Sequence, residues 1–476
     1  MPSTTALDPR RWRALALLAV AQFVVVLDAS IMNIALPSIA TDMHASTETL
    51  SWVINAYLLA FGGLLLLGGR LADLIGRRRV FVAGLSVFGL ASFAGGLADT
   101  SAQLIAARAV QGVGGALLAP AALSIVTTLF PEGAERNKAL GVWGAVAGSG
   151  GVAGVLLGGI LTSGLGWEWV LFVNVPLALG AAVLAPRLFA ETRIAGSHTI
   201  DVAGAVAVTS GTVLAVYALV EANGAGWGSV QTLGLLAAAG ALLAAFVAIQ
   251  ARVAEPLMPL AIFRNAHVRA ANVTMVGAGA AMLGLFFFLS LYLQQVLGYS
   301  ALEAGVSQLP LAGTLVLAAG AAGPLAERIG VKPVLLAGLA LFATGLLWFS
   351  RVSADGTFLA DILGPSLLVG LGLAATFVSL TIESVSGVDG DRYGLASGLV
   401  NTSQQIGGAL GLAILTAVAD QAGGIGAFQD ALLIAAGIAV VALASATVLT
   451  PAQSTVKPPV TGTRAPVTNA AASEAR

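Results

Sequence analysis

The feature that most constrains this chain is a succession of apolar segments, each close to the length that crosses a bilayer. A helix needs about 20 mostly apolar residues to span the hydrocarbon core. Fourteen segments fit: 14–36, 51–69, 80–98, 102–129, 139–163, 168–186, 202–220, 231–251, 270–296, 305–326, 333–350, 358–382, 395–419 and 429–450. Only 9% of the 476 residues are charged and 58% are hydrophobic. Soluble domains carry about 25% charge. A surface in contact with lipid needs far less, so the predicted class is an all-α integral membrane protein. The first apolar run follows Arg10, Arg11 and Arg13 and resembles a signal peptide. Asp28 and Asn33 interrupt it and no small-residue cleavage pattern stands out, so it is expected to remain as a helix.

Cationic side chains gather on the cytoplasmic side of membrane proteins. With fourteen spans and an inside N-terminus, every Lys and Arg falls inside except Arg351, outside, and Arg108, within the membrane. Acids such as Asp42, Glu48, Asp99 and Glu303 mark the outer loops. The expectation is a multi-pass protein of the cell inner membrane with both termini cytoplasmic.

The chain also repeats itself. Residues 69–80 read G-R-L-A-D-L-I-G-R-R-R-V and residues 323–334 read G-P-L-A-E-R-I-G-V-K-P-V. Each copy follows the second helix of a group of six. Two six-helix bundles with a site between them near the midplane form a transporter design. The predicted organisation is a cytoplasmic N-terminus (1–13), a first bundle (14–186), a linker (187–201), two additional helices (202–251), a second linker (252–269), a second bundle (270–450) and a disordered tail (451–476).

Several function classes are disfavoured. A net charge of −1 implies no polyanion, hence no nucleic-acid partner. The absence of cysteine removes disulfides, thiolate metal sites and a cysteine nucleophile. His44, His198 and His267 fall in three different predicted loops, so no metal site is expected. No Ser–His pairing or paired intramembrane carboxylates suggest an enzyme, and no segment is long enough for a soluble signalling domain. The expected partners are a small-molecule substrate, protons and the lipid bilayer, with the chain acting as a monomer.

Charges inside the membrane are costly and call for an explanation. Asp28 lies in the first span, within V-V-V-L-D-A-S-I-M, and Arg108 in the fourth, within L-I-A-A-R-A-V-Q-G. At about 1.5 Å per residue they sit at similar depth, so they face each other as an ion pair or share a watery cavity. Asp28 is the candidate proton carrier and Arg108 its partner; a buried pair that only fixes packing is the alternative. Gln22, Asn33, Asn55, Tyr57, Gln111, Asn174, Gln294, Gln295, Asn401, Gln404 and Gln405 are candidates for a substrate cavity, or for interhelical hydrogen bonds. Gly144, Gly148, Gly151, Gly154 and Gly158 form a stripe on the fifth span that lets helices approach closely. In the loop after the second span, Gly69 and Gly76 are read as turns, and Asp73 as part of an ion-pair latch.

These residues resemble the major facilitator superfamily, and within it the fourteen-helix drug:proton antiporter branch. L-D-A-S-I-M-N-I-A-L-P (27–37) resembles the branch's first-helix motif, 69–79 the superfamily's loop motif, and R-A-V-Q-G-V-G-G (108–115) its fourth-helix motif. W-E-W-V-L-F-V-N-V-P (167–176) and Q-Q-V-L-G-Y-S-A-L-E-A-G (294–305) match the branch as well. The resemblance implies coupling roles for Asp28 and Arg108, and a gating motif of Gly69, Asp73, Gly76 and Arg77. It implies an antiporter motif of Gly148, Gly154, Gly158 and Gly159, with Val155 where proline is usual. It implies proton-coupled export of a small hydrophobic drug, antibiotic or metabolite, driven by the proton gradient with no bound cofactor. Proton symport or facilitated uptake of an organic solute is the alternative.

Overall fold

The computed structural model describes residues 10–130, 134–192, 201–388, 393–422 and 424–450. The expected tail, most of the first linker and His198 lie outside those residues.

All regular secondary structure among the described residues is helical. The first group is α1 (Arg11–Asp42), α2 (Thr47–Ile75), α3 (Arg77–Gly96), α4 (Ser101–Leu129), α5 (Ala134–Gly164) and α6 (Asn174–Leu188). Two helices follow, α7 (Val202–Val220) and α8 (Val230–Gln250). The last group is α9 (Ala266–Leu291), α10 (Ala301–Ile329), α11 (Val331–Phe349), α12 (Gly364–Val385), α13 (Tyr393–Ala422) and α14 (Gly424–Leu449). A single π-helical turn, Tyr292–Val296, extends α9, and another, Phe358–Leu363, leads into α12.

Among the described residues, twelve helices are long and apolar enough to cross a membrane, not the fourteen expected. The two expected spans outside that set, 139–163 and 395–419, lie in α5 and α13. In α5 the described apolar stretch is Ser149–Gly164, and the side chains of 144, 145, 147 and 148 just before it lie outside the described residues. In α13 the run Asn401–Gln405 dilutes the apolar content. Several helices also run past their apolar segments: α1 reaches Asp42, with Pro37 inside it. A proline is tolerated where neighbouring helices shield the freed carbonyl.

The two groups repeat one another in packing. α1 packs on α5, α2 on α4, α3 on α4 and α3 on α6; correspondingly α9 packs on α13, α10 on α12, α11 on α12 and α11 on α14. The repeated sequence occupies equivalent breaks in both. α2 gives way to α3 at Gly76 (φ +122°) and α10 to α11 at Gly330 (φ +97°). Each glycine N–H bonds to the carbonyl four residues earlier, Ala72 and Ala326. A positive φ is accessible to glycine at little steric cost, so a one-residue break can join two long helices here.

Two symmetric seams join the groups, α5 against α10 and α13 against α2, and α1 also touches α9 and α10. α7 and α8 pack on each other, and α7 lies against α2 and α13.

Candidate functional site

Asp28 is the centre of a closed polar cluster in the first group of helices. It has no exposed surface, and Arg108 and Gln111 are 1% exposed. Arg108 Nη1 donates to Asp28 Oδ2 at 2.6 Å. Gln111 Nε2 and Asn174 Nδ2 both donate to Asp28 Oδ1, at 2.8 and 2.9 Å. Gln111 Oε1 accepts from Arg108 Nη1, which fixes the amide's orientation. Both amides also approach Ser92 Oγ at 3.2 Å, and that hydroxyl donates to the Leu171 carbonyl at 2.9 Å. The guanidinium carbon lies 4.4 Å from the centroid of the Tyr57 ring, and Nε donates to the Val53 carbonyl at 3.3 Å. The two charges expected to pair do so, and they are sealed by protein rather than set in a watery cavity.

Geometry explains why these residues meet. Arg108 and Gln111 are three apart on α4, so they share one face. Asp28 on α1, Ser92 on α3 and Asn174 at the start of α6 converge on that face. α4 can lie close to its neighbours because its glycines leave no side chain between backbones. A Cβ on Gly112 would meet the Tyr57 carbonyl, and one on Gly114 would lie 2.8 Å from Phe88 Cα.

The other cavity candidates scatter. Asn55 is fully buried, its amide atoms without partners, and the Tyr57 hydroxyl also has none. Asn33 bonds back to its own helix at Ala29, and its Oδ1 is unpartnered. Gln294 donates to the Ile34 carbonyl at 3.0 Å, tying α9 to α1. Gln22 and Gln405 are half-buried and Asn401 is exposed; none of the three joins the Asp28 cluster. Gln405 instead packs on Gly62, where a Cβ would lie 2.7 Å from its own Cβ. A separate cavity of about 180 Å³ lies among α2, α7, α8, α9 and α13, lined by Gly63, Leu66, Phe246, Met258, Asn272 and Ser403. Ser403 Oγ donates to Asn272 Oδ1 at 2.7 Å. Sequence reading had no signal for Asn272, because an amide two turns into a helix looks like a boundary residue.

The loop motif is rearranged relative to expectation. Gly69 lies inside α2 and makes no turn; the neighbour Gly68 is the close-packed one, against the Ala116 carbonyl. Asp73 Oδ1 accepts from Arg77 Nη2 at 3.3 Å, a contact between the end of α2 and the start of α3. Arg77 also donates to Thr128 Oγ1 on α4. The N-terminus of α3 is capped by Glu191, whose two carboxylate oxygens accept from the backbone N–H groups of Arg78 and Arg79 at 3.0 and 3.1 Å. Glu191 was not legible as part of the motif, because 113 residues separate it from Arg78. An ion pair that reaches beyond this group joins Arg70 to Glu255, in the segment before α9.

The glycines of α5 serve two neighbours. A Cβ on Gly154 would lie 2.9 Å from the Leu27 carbonyl, and one on Gly158 3.1 Å from the Ile31 carbonyl, both on α1. A Cβ on Gly159 would lie 2.8 Å from the Ala301 carbonyl on α10. The surroundings of Gly148 lie outside the described residues. Val155 is buried with Ile34 and Ala301, and its carbonyl faces Gly305.

His267 lies in the first turn of α9 rather than in a loop, with Nδ1 2.7 Å from Glu383 Oε1. Glu383 lies one residue beyond the predicted span 358–382, inside the last turn of α12.

A sequence profile described as Major Facilitator Superfamily matches residues 18–322 and 309–475. A puromycin resistance protein from Streptomyces alboniger is 42% identical over 416 residues, 86% of this chain and 82% of that protein. A cephamycin export protein from Amycolatopsis lactamdurans is 43% identical over 409 residues, 85% of this chain and 84% of that protein. The solved structure of the nucleoside transporter NupG matches with a TM-score of 0.66 at 13% identity, covering 93% of this chain and all (100%) of that one. An inward-facing bacterial homologue of the lysosomal transporter Spinster matches at 0.65 and 16% identity, covering 93% and 97%. These two likenesses show the fold, and the sequence matches show the kinship: the chain is a multi-pass membrane protein that belongs to the major facilitator superfamily.

Proposed function

We propose that this protein exports a small hydrophobic drug, antibiotic or metabolite across the inner membrane in exchange for protons, by alternating access. Its relatives include proteins named for puromycin resistance and cephamycin export. The observation that carries the coupling is the Asp28–Arg108 pair, buried with no cation other than Arg108 bonded to the carboxylate among the described residues.

Asp28 joins three helices: its oxygens accept from Arg108 and Gln111 on α4 and Asn174 on α6. Protonation of Asp28 removes the counter-charge that holds the guanidinium and turns one acceptor oxygen into a donor. Arg108 then has no reason to stay at α1, and α1, α4 and α6 can adopt a second arrangement. A proton and a drug that favour different arrangements are thereby exchanged. The seams α5–α10 and α2–α13 join the two groups, and alternating access would part contacts across them.

The test uses proteoliposomes with a pH-sensitive dye and puromycin as the probe. The native protein is expected to move protons when puromycin is added, and Asp28→Asn is expected to abolish that movement. Puromycin transport that needs no pH gradient and is indifferent to Asp28→Asn would leave a facilitated carrier and remove the proton mechanism.

A further inference from the structure

We propose that Glu383 and His267 form a second proton-binding site, separate from Asp28, at the end of the molecule where α9 and α11 begin. Glu383 lies in the last turn of α12 with its side chain 1% exposed, whereas the imidazole of His267 is 27% exposed. Nδ1 and Oε1 are 2.7 Å apart. The second carboxyl oxygen, Oε2, is buried with no hydrogen-bond partner. A carboxylate oxygen removed from water and given no donor is unfavourable, so this carboxyl is poorly served as a permanent anion.

Among the described residues, the cationic groups near enough to favour an ionised Glu383 are His267 and Lys332. Lys332, in the first turn of α11, is occupied elsewhere: its ammonium donates to the carbonyls of Thr447 and Thr450 at 2.9 and 2.7 Å. At the same end of the molecule, Glu327 and Arg328 on α10 and Tyr393 on α13 are exposed. His267 is thus the one titratable group bonded to Glu383 among the described residues.

The chemistry needs only one proton and 2.7 Å. In the ionised pair, Nδ1–H of the imidazolium donates to Oε1. When the proton crosses, the Nδ1–H bond breaks, an Oε1–H bond forms, and Oε1–H donates back to Nδ1 of a neutral imidazole. Neither arrangement buries net charge. The partly exposed imidazole is the contact with water, and the carboxyl is the store. Occupancy is tied to helix position by a neighbouring bond: Asn265, which caps α9, donates to the Ser386 carbonyl just beyond α12 at 2.9 Å. Separation of α9 from α12 breaks that tie and the His267–Glu383 contact together, leaving the proton on Glu383 without its exchange partner. A role in transport rests on the proton-coupled reading above; the proton site itself does not.

The full chain in lipid, with no drug present, is titrated from about pH 5 to 8, the range in which histidine changes charge, and followed by infrared difference spectroscopy. A carboxylic-acid C=O band that responds to pH is expected to vanish in Glu383→Gln and persist in Asp28→Asn. His267→Gln keeps the carboxyl but removes its partner, and is expected to change the band's frequency and pH response. A native spectrum with no band removed by Glu383→Gln marks a fixed ion pair and overturns the proposal. If Glu383→Gln does not fold, a band unchanged in His267→Gln overturns it equally. Loss of this band would leave the Asp28→Asn result in proteoliposomes standing, and failure of that result would leave this band standing.

Discussion

At the scale of single residues, Arg108 and Asp28 illustrate how a buried pair is both necessary and weakly stabilising. Two charges taken out of water lose most of their mutual attraction to desolvation, so the pair contributes little against an apolar alternative. Removing one partner is a different matter. Arg108→Ala would strand the Asp28 carboxylate, which then keeps only the Gln111 and Asn174 amides. The expected loss is about 3–5 kcal/mol, read as a lower unfolding temperature in detergent. Asp28→Asn keeps the shape and an acceptor oxygen but strands the Arg108 cation, so it too should unfold at a lower temperature, and it should lose coupling. An Arg108→Ala protein as stable as the native one would show that the pair is not sealed. Asp28 and Arg108 stood out in the sequence because a charge inside an apolar run is rare. Ser92 did not, because a serine in a membrane helix ordinarily bonds to its own backbone. Its 2.9 Å bond to the Leu171 carbonyl depends on how α3 sits against the turn before α6.

At the scale of an element, α5 holds the molecule together on two fronts. Gly154 and Gly158 meet α1 beside Asp28, and Gly159 meets α10. The glycine stripe was visible as a spacing, and close helix approach follows from it. Which neighbour each glycine serves was not visible, since 154 and 158 differ from 159 only by rotation about the helix axis. A valine at 159 would place its Cβ 2.8 Å from the Ala301 carbonyl and 2.8 Å from Leu302 Cα. Gly159→Val should therefore part the α5–α10 seam. The chain has no cysteine, so spin labels at Leu165→Cys and Tyr299→Cys report without background. The expected result is a longer distance in Gly159→Val than in the glycine parent; an unchanged distance means the seam yields elsewhere.

At the scale of the whole molecule, contacts also run between the two halves. Arg70 at the end of α2 pairs with Glu255 in the segment leading to α9. Both side chains are about a third exposed, at 28% and 32%, so the pair adds little stability. Its effect should fall on transport instead. On the proposed function, Arg70→Glu is expected to slow transport of the probe drug, and adding Glu255→Arg to restore a substantial part of it without altering the unfolding temperature. Failure of the double variant to recover activity would separate Arg70 from Glu255 functionally. The expected latch at Asp73 proved to be a contact within one group, with Arg77, four residues on. The cross-molecule pair lies 185 residues apart in the chain, beyond any local signal.

That this chain lives in a membrane, is helical, is internally repeated and carries Asp28 and Arg108 as its exceptional charges can be read from the residues alone. Each of these is written in one dimension: apolar segments of bilayer length, a repeated twelve-residue string, a charge where apolar residues surround it. Which amides close around Asp28, that Glu191 caps α3, that Gly68 rather than Gly69 meets α4, and that Glu383 is buried against His267 emerge once the helices are packed. Those outcomes depend on how each helix rotates about its own axis and how far it slides along its neighbour. An almost uniformly apolar helix carries little amphipathic pattern to fix that rotation, so it is set by small residues and scattered polar atoms finding partners on other helices.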